Sequence, residues 1–227
     1  MRCAAAAGLA AAALAGCGST QTKGSATLWI TRDRGEHLVL VGKVKAGQSA
    51  MQALQSKAKV KTGYGGRFVQ SIDGVSGSRS GQRDWFYFVN GYEADRGAAD
   101  YTLRPGDVEW WDFRSWKHAI HVPIVVGAFP EPFLHGYDGK RREAVVVYDA
   151  QRLAPLARRL GKLIHARTHA PDQVGDANVL FVTRANVPLS ATTERAGAPV
   201  RFVLGPTAAR RLLASPSLVR FRYAGLR

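Results

Sequence analysis

The run Trp85-Phe86-Tyr87-Phe88-Val89-Asn90-Gly91, answered further on by Val108-Glu109-Trp110-Trp111, decides how this sequence is read. Both segments are rich in the aromatic and β-branched residues that fit a pleated surface. Asn90-Gly91 supplies a tight turn after the first, and Pro105-Gly106-Asp107 a turn before the second. Successive side chains of a strand point to opposite faces. Trp110 and Trp111 therefore cannot both pack beneath one helix, and neither can Phe86 and Tyr87. One member of each pair is expected on a helix-free face. A large aromatic patch there marks a binding site or an interface, unless residues 119–227 cover it.

Working outward, Ala26 to Arg32 and His37 to Val44 alternate apolar and polar residues around the turn-prone Asp33-Arg34-Gly35 and read as a hairpin. Ser49-Ala50-Met51-Gln52 is a capping-box pattern opening a helix of about ten residues, with Met51, Leu54 and Ala58 on its inner face. Arg67 to Ile72 is a further strand. The order β-β-α-β-β-β, with one helix covering one face of a mixed sheet, predicts a β-grasp domain over residues 26–118.

On these residues the sequence resembles the transcobalamin C-terminal-like domain family. The resemblance is carried by Trp85 to Gly91, by Gly97-Ala98-Ala99-Asp100-Tyr101-Thr102-Leu103-Arg104-Pro105-Gly106-Asp107-Val108-Glu109-Trp110-Trp111, by Gly66 to Gly74, and by Arg114-Ser115-Trp116. It implies a β-grasp fold of the kind found in bacterial surface lipoproteins and in the vertebrate cobalamin carriers, where the domain closes over the ligand as a lid. Carried over residue by residue, it implies ligand contacts from Phe68 and Val69, from Trp85 and Phe86, and from the Ala94 to Gly97 loop, Asp95 included. The aromatic-face argument adds Trp110 and Trp111, and Gln70 or Asp95 is expected to orient a ligand's polar groups. Cobalamin or a related corrinoid is the ligand implied. The carriers grip it against a large helical toroid, which nothing in this sequence could build.

Residues 119–227 read as a small basic α/β sandwich. His121 to Val126 is expected as a strand, closed by the prolines of Gly127-Ala128-Phe129-Pro130-Glu131-Pro132. Ala144 to Tyr148 reads as a strand buried on both faces, with Asp149 placed to cap a helix from Ala150 to Ile164. Leu153, Leu156, Ala157, Leu160 and Ile164 form that helix's buried stripe. Strands at Asn178 to Thr183 and Val200 to Leu204, a helix from Thr207 to Ala214 and a last strand from Leu218 to Tyr223 complete the pattern.

The chain of 227 residues carries 32 Lys and Arg against 17 Asp and Glu, with 46% hydrophobic residues. At roughly 150 residues per domain this suggests one or two domains, too apolar to be disordered. The surplus is uneven: residues 18–118 hold 15 basic and 10 acidic side chains, residues 119–227 hold 16 and 7. Lipid headgroups, wall polymers or an anionic ligand are the expected counterparts rather than nucleic acid. Fourteen of the 16 are Arg, which a codon-composition bias also explains. Met1-Arg2 followed by the Ala- and Leu-rich stretch to Gly16 matches an export signal, and Leu14-Ala15-Gly16-Cys17 resembles a lipobox. Residues 1–17 are thus expected as signal and lipobox and 18–25 as linker. Lipidated Cys17 would hold the protein at the extracytoplasmic face of the cell membrane, with Cys3 removed with the signal.

Candidate chemistry is sparse. His118 with His121, and His165 with His169, have spacings that can share a metal, but zinc sites need three or four ligands, and Asp172 and Asp176 are the only neighbouring carboxylates. No metal or resident cofactor is expected. With no G-x-S-x-G, Walker loop or H-E-x-x-H, the expectation is a non-enzymatic lipoprotein that captures a small molecule and passes it to a membrane transporter. The alternative is an adaptor lipoprotein whose aromatic face is internal and whose basic half contacts headgroups or polymer.

Overall fold

The computed structural model describes residues 24–169 and 174–226. The expected lipidation site Cys17 and Asp172 lie outside them. Among the described residues no helix is long and apolar enough to cross a membrane.

Strand β1 (Ser25–Arg32) pairs antiparallel with β2 (His37–Lys45) and parallel with β8 (Val108–Ser115). β8 in turn pairs antiparallel with β6 (Arg83–Val89), which carries the short β7 (Tyr92–Glu93) on its far side. The resulting order is β2-β1-β8-β6-β7. Helix α1 (Ala50–Gln55) has the expected capping box: Ser49 Oγ accepts from the Gln52 amide and Gln52 Oε1 from the Ser49 amide. It is shorter than expected and buries Met51 and Leu54. Strands β3 (Val60–Gly63), β4 (Phe68–Ile72) and β5 (Val75–Ser76) form a separate three-stranded sheet. At the β3–β4 tip, Gly65 and Gly66 adopt φ of +67° and +89°, a region costly for residues with a Cβ.

The alternation across β8 holds, but the helix-free face is not open. Trp111 belongs to the cluster that contains Met51 and Leu54 of α1. Trp110 points the other way, into a cluster with Trp29, Phe88, Val125 and Ala128. Phe221 stands 4.9 Å from the Trp29 ring and Tyr223 5.4 Å from that of Trp110. Residues from the second half thus cap the face, leaving Trp110 fully buried. Polar bonds fix the cap: Asp112 accepts from Thr31 Oγ1 (2.6 Å) and Tyr223 Oη (2.9 Å), and Thr31 accepts from Trp110 Nε1 (2.7 Å).

The second half centres on β9 (Ala144–Tyr148), β10 (Arg167–His169), β11 (Asn178–Val182) and β13 (Arg201–Leu204), all parallel, with β12 (Ser190–Thr192) antiparallel at one edge. Their order is β10-β9-β11-β13-β12. Helices α2 (Ala154–Ile164) and α3 (Pro206–Ala214) pack together against the face that presents Val146, Leu180 and Phe202. The whole is therefore an α+β protein with three sheets and few helices, and one buried cluster runs from Ala26 to Leu226.

Three local expectations are corrected. His121 to Val126 is not a strand: it makes only an isolated antiparallel bridge, Ile124 to Tyr92, with Val125 N–H donating to Gly91 and the Pro123 carbonyl accepting from Glu93, before Val126 opens a 3-10 turn and donates to Tyr223. Leu218 to Tyr223 forms a 3-10 turn over Pro216–Val219 followed by irregular chain. Asp149 caps no helix. The chain turns through Gln151–Leu153 before α2 begins, and the carboxylate instead accepts from Thr183 Oγ1 (2.7 Å) and the Arg184 amide (2.8 Å).

Candidate functional site

The three-stranded sheet stands beside the open flank of β6. Trp85 Nε1 donates to the Val75 carbonyl at 2.8 Å and ties the two together. Between them lies a groove of about 1040 Å³. Phe68, Val69 and Gln70 of β4 form one wall, Trp85, Phe86 and Tyr87 of β6 the other, and Ala94 and Gly97 close one end. Trp111 is its floor. The Tyr87 ring stacks on that indole at 4.9 Å and 18°, and Trp85 meets Phe113 at 5.2 Å. Tyr64, 85% exposed at the hairpin tip, and Phe68, 43% exposed, contact edge to face at 6.1 Å.

The far wall is built by the chain leaving β8. The Arg114 guanidinium lies 3.6 Å from the Phe86 ring centroid and donates to the carbonyls of Ala119 and Ile120, each at 2.8 Å. This holds Ile120, with Trp116, against the groove. A desolvated cation over a ring is worth about 2 kcal/mol, so the Phe86 ring is anchored on the Trp110 face of β6, opposite Trp85 and Tyr87, and only the edge of this residue borders the groove.

Two of the groove's arginines are already paired. Arg83 pairs with Asp33, and Arg67 with Asp100 at 2.6 Å. Burial raises the Asp84 carboxyl above its ordinary value, although the Trp85 amide bonds to it. Beneath the floor, Trp111 Nε1 donates to Glu109 Oε1 at 2.6 Å. Glu109 is fully buried, its Oε2 has no hydrogen-bond partner, and burial pushes its pKa up to about 8. Burial likewise raises the Tyr87 phenol, whose hydroxyl donates to the Arg96 carbonyl.

Eight of the ten residues singled out from sequence line this groove: Phe68, Val69, Gln70, Trp85, Phe86, Ala94, Gly97 and Trp111. Trp110 does not, lying sealed on the opposite face. Asp95 instead borders a second depression, of about 1070 Å³. There it bonds Arg96 Nε and Tyr137 Oη, both at 2.8 Å, and the Arg96 bond holds its carboxyl below the ordinary value. That depression is walled mainly by charged residues, among them the pairs Arg96–Asp138 and Arg142–Asp176. Sequence reading missed Tyr64, Tyr87, Trp116 and Ile120. Tyr87 carried a signal, since it shares the Trp85 side of β6.

His121 Nδ1 lies 3.4 Å from Glu93 Oε1, His165 is an exposed left-handed cap of α2, and among the described residues no group of three or more His, Cys, Asp or Glu is arranged to hold a metal ion.

With this geometry in view, comparison with family models gives one result. Residues 47–115 match DUF4430, a domain of unknown function. The DUF4430 match spans α1 through β8 and so includes most of the groove's lining residues. No curated protein matches the chain. Among solved structures, one described as a "putative metal binding protein" from Ruminococcus gnavus ATCC 29149 aligns at 14% identity and a TM-score of 0.34, covering 41% of this chain and 98% of that one. Haptocorrin in complex with Cbi aligns at 13% identity and a TM-score of 0.33, covering 45% of this chain and 28% of its own. Likenesses this slight assign neither ligand nor mechanism to the chain.

Proposed function

We propose that this protein captures a small molecule with an extended apolar ring face in the groove between β4 and β6. The observation that carries the reading is a large groove with an aromatic floor and mixed apolar and polar walls, two of whose arginines are already paired. At about 1040 Å³ it sits at the upper end of small-molecule sites, roughly 300–1,000 Å³, and so favours a bulky ligand. The resemblance to the transcobalamin C-terminal-like family makes a corrinoid the first candidate and β-grasp the architecture of residues 26–118. Phe68 and Trp85 supply apolar contact, Trp111 with Tyr87 the floor, and Gln70 a polar contact at the rim, while Phe86, expected from sequence as a contact, borders the groove only by its edge. The role is binding without catalysis, with no resident cofactor. The Leu14 to Cys17 run supports lipidation at Cys17, an extracytoplasmic location and hand-over to a membrane transporter.

The test is calorimetric titration with cobalamin and cobinamide. Trp85→Ala is expected to abolish the heat. Because that indole also ties β5 to β6, Phe68→Ala, at an exposed position, is the companion variant, and a loss of about tenfold in affinity, about 1.4 kcal/mol, is expected. Affinity unchanged in Phe68→Ala places the ligand elsewhere and defeats the reading.

A further inference from the structure

The outer surface of the α2–α3 layer carries one sign of charge. Arg158, Arg159 and Lys162 of α2, Arg210 of α3 and Arg152 just before α2 are all exposed. They lie opposite the stripes Ala157, Leu160, Ile164 and Ala208, Ala209, Leu212, which face the sheet. None of the five pairs with a carboxylate among the described residues. No local acid exists to do so: there is no Asp or Glu from Ala150 to Pro171, nor from Arg195 to Arg227. A codon bias can turn Lys into Arg, but it does not strip carboxylates from two helices that come together only in the folded chain.

From this we infer that the α2–α3 layer docks on an anionic lipid surface. Two side-by-side helices present a broad face rather than a cleft that would grip a single polymer strand. Half-buried Leu156, Leu163 and Leu213 flank the cations, a mixture of apolar and basic groups that suits a headgroup layer, whereas a phosphate polymer offers charge alone. The attraction acts at short range, within a Debye length of the surface. Each cation near such a surface strengthens binding about fivefold. This inference is independent of the ligand groove.

The full chain is to be sedimented with vesicles of phosphatidylcholine alone and of phosphatidylcholine with about one-third phosphatidylglycerol. Any contribution from the apolar N-terminal run is shared by both vesicle types, so the difference between them reports charge. Preference for the anionic vesicles is expected, falling as salt is raised. Arg158→Gln, Arg159→Gln and Lys162→Gln together, all at exposed positions, are expected to reduce that preference about a hundredfold. Equal binding to both vesicle types, or a preference that survives in the triple variant, overturns the inference. So does binding to soluble polyphosphate without any vesicle preference, which assigns the face to a polymer.

Discussion

Glu109 offers the sharpest physical test of the groove's foundation. Its carboxyl is fully buried under Trp111, accepts one bond from that indole, and has a second oxygen with no partner. Burial raises its pKa from 4.5 to about 8. Between those values the unfolded chain has lost the proton while the folded chain keeps it, so the folded state binds more protons and stability falls as pH rises. The distance from 4.5 to about 8, at about 1.4 kcal/mol per pH unit, amounts to about 5 kcal/mol of stability lost by alkaline pH, against a typical total of roughly 5–15 kcal/mol. Glu109→Gln keeps the shape and an acceptor for Trp111 Nε1 and removes the titration. Urea denaturation from pH 4 to pH 9 is expected to show the variant matching the parent at the acid end and exceeding it by several kcal/mol at the alkaline end. Two curves that stay parallel across that range would refute the reasoning, because Glu109 would then titrate alike in both states.

Other variants separate the groove from the scaffold. Trp110→Phe loses the bond to Thr31 and part of a fully buried ring, and is expected to cost about 2 kcal/mol in chemical denaturation while corrinoid affinity in calorimetry stays within about twofold. Leu160→Ala empties a fully buried position between α2 and its sheet and should cost about 2–5 kcal/mol, read as a lower urea midpoint. Ser49→Ala removes the cap of α1, and a loss of about 1 kcal/mol is expected in thermal melts.

The sequence made the two faces of β8 legible, because strand alternation is a local rule and Trp110 and Trp111 obey it. What covers the Trp110 face was not, since Phe221 and Tyr223 come from more than a hundred residues away in a segment whose pattern suggests a strand. The same limit explains His121 to Val126. Its apolar run predicts a strand, yet its pairing stops at a single bridge to the short β7, at Tyr92, because the chain turns into a 3-10 helix at Val126. The capping box of α1 and the stripe of α2 were readable because both are short-range. Strand β3 was missed because Val60-Lys61-Thr62-Gly63 is short and carries no clear alternation of apolar residues. Asp95 was expected with the groove through the family resemblance of the Ala94 to Gly97 loop, but Arg96 and Tyr137 draw it to the neighbouring depression.

The most direct measurement for the central claim is a calorimetric titration of the full chain with cobinamide, run in parallel on the parent protein and on Phe68→Ala. Saturable one-to-one binding in the parent, weakened about tenfold in the variant, is the predicted result. Absence of binding in the parent, or equal affinity in both proteins, would contradict it.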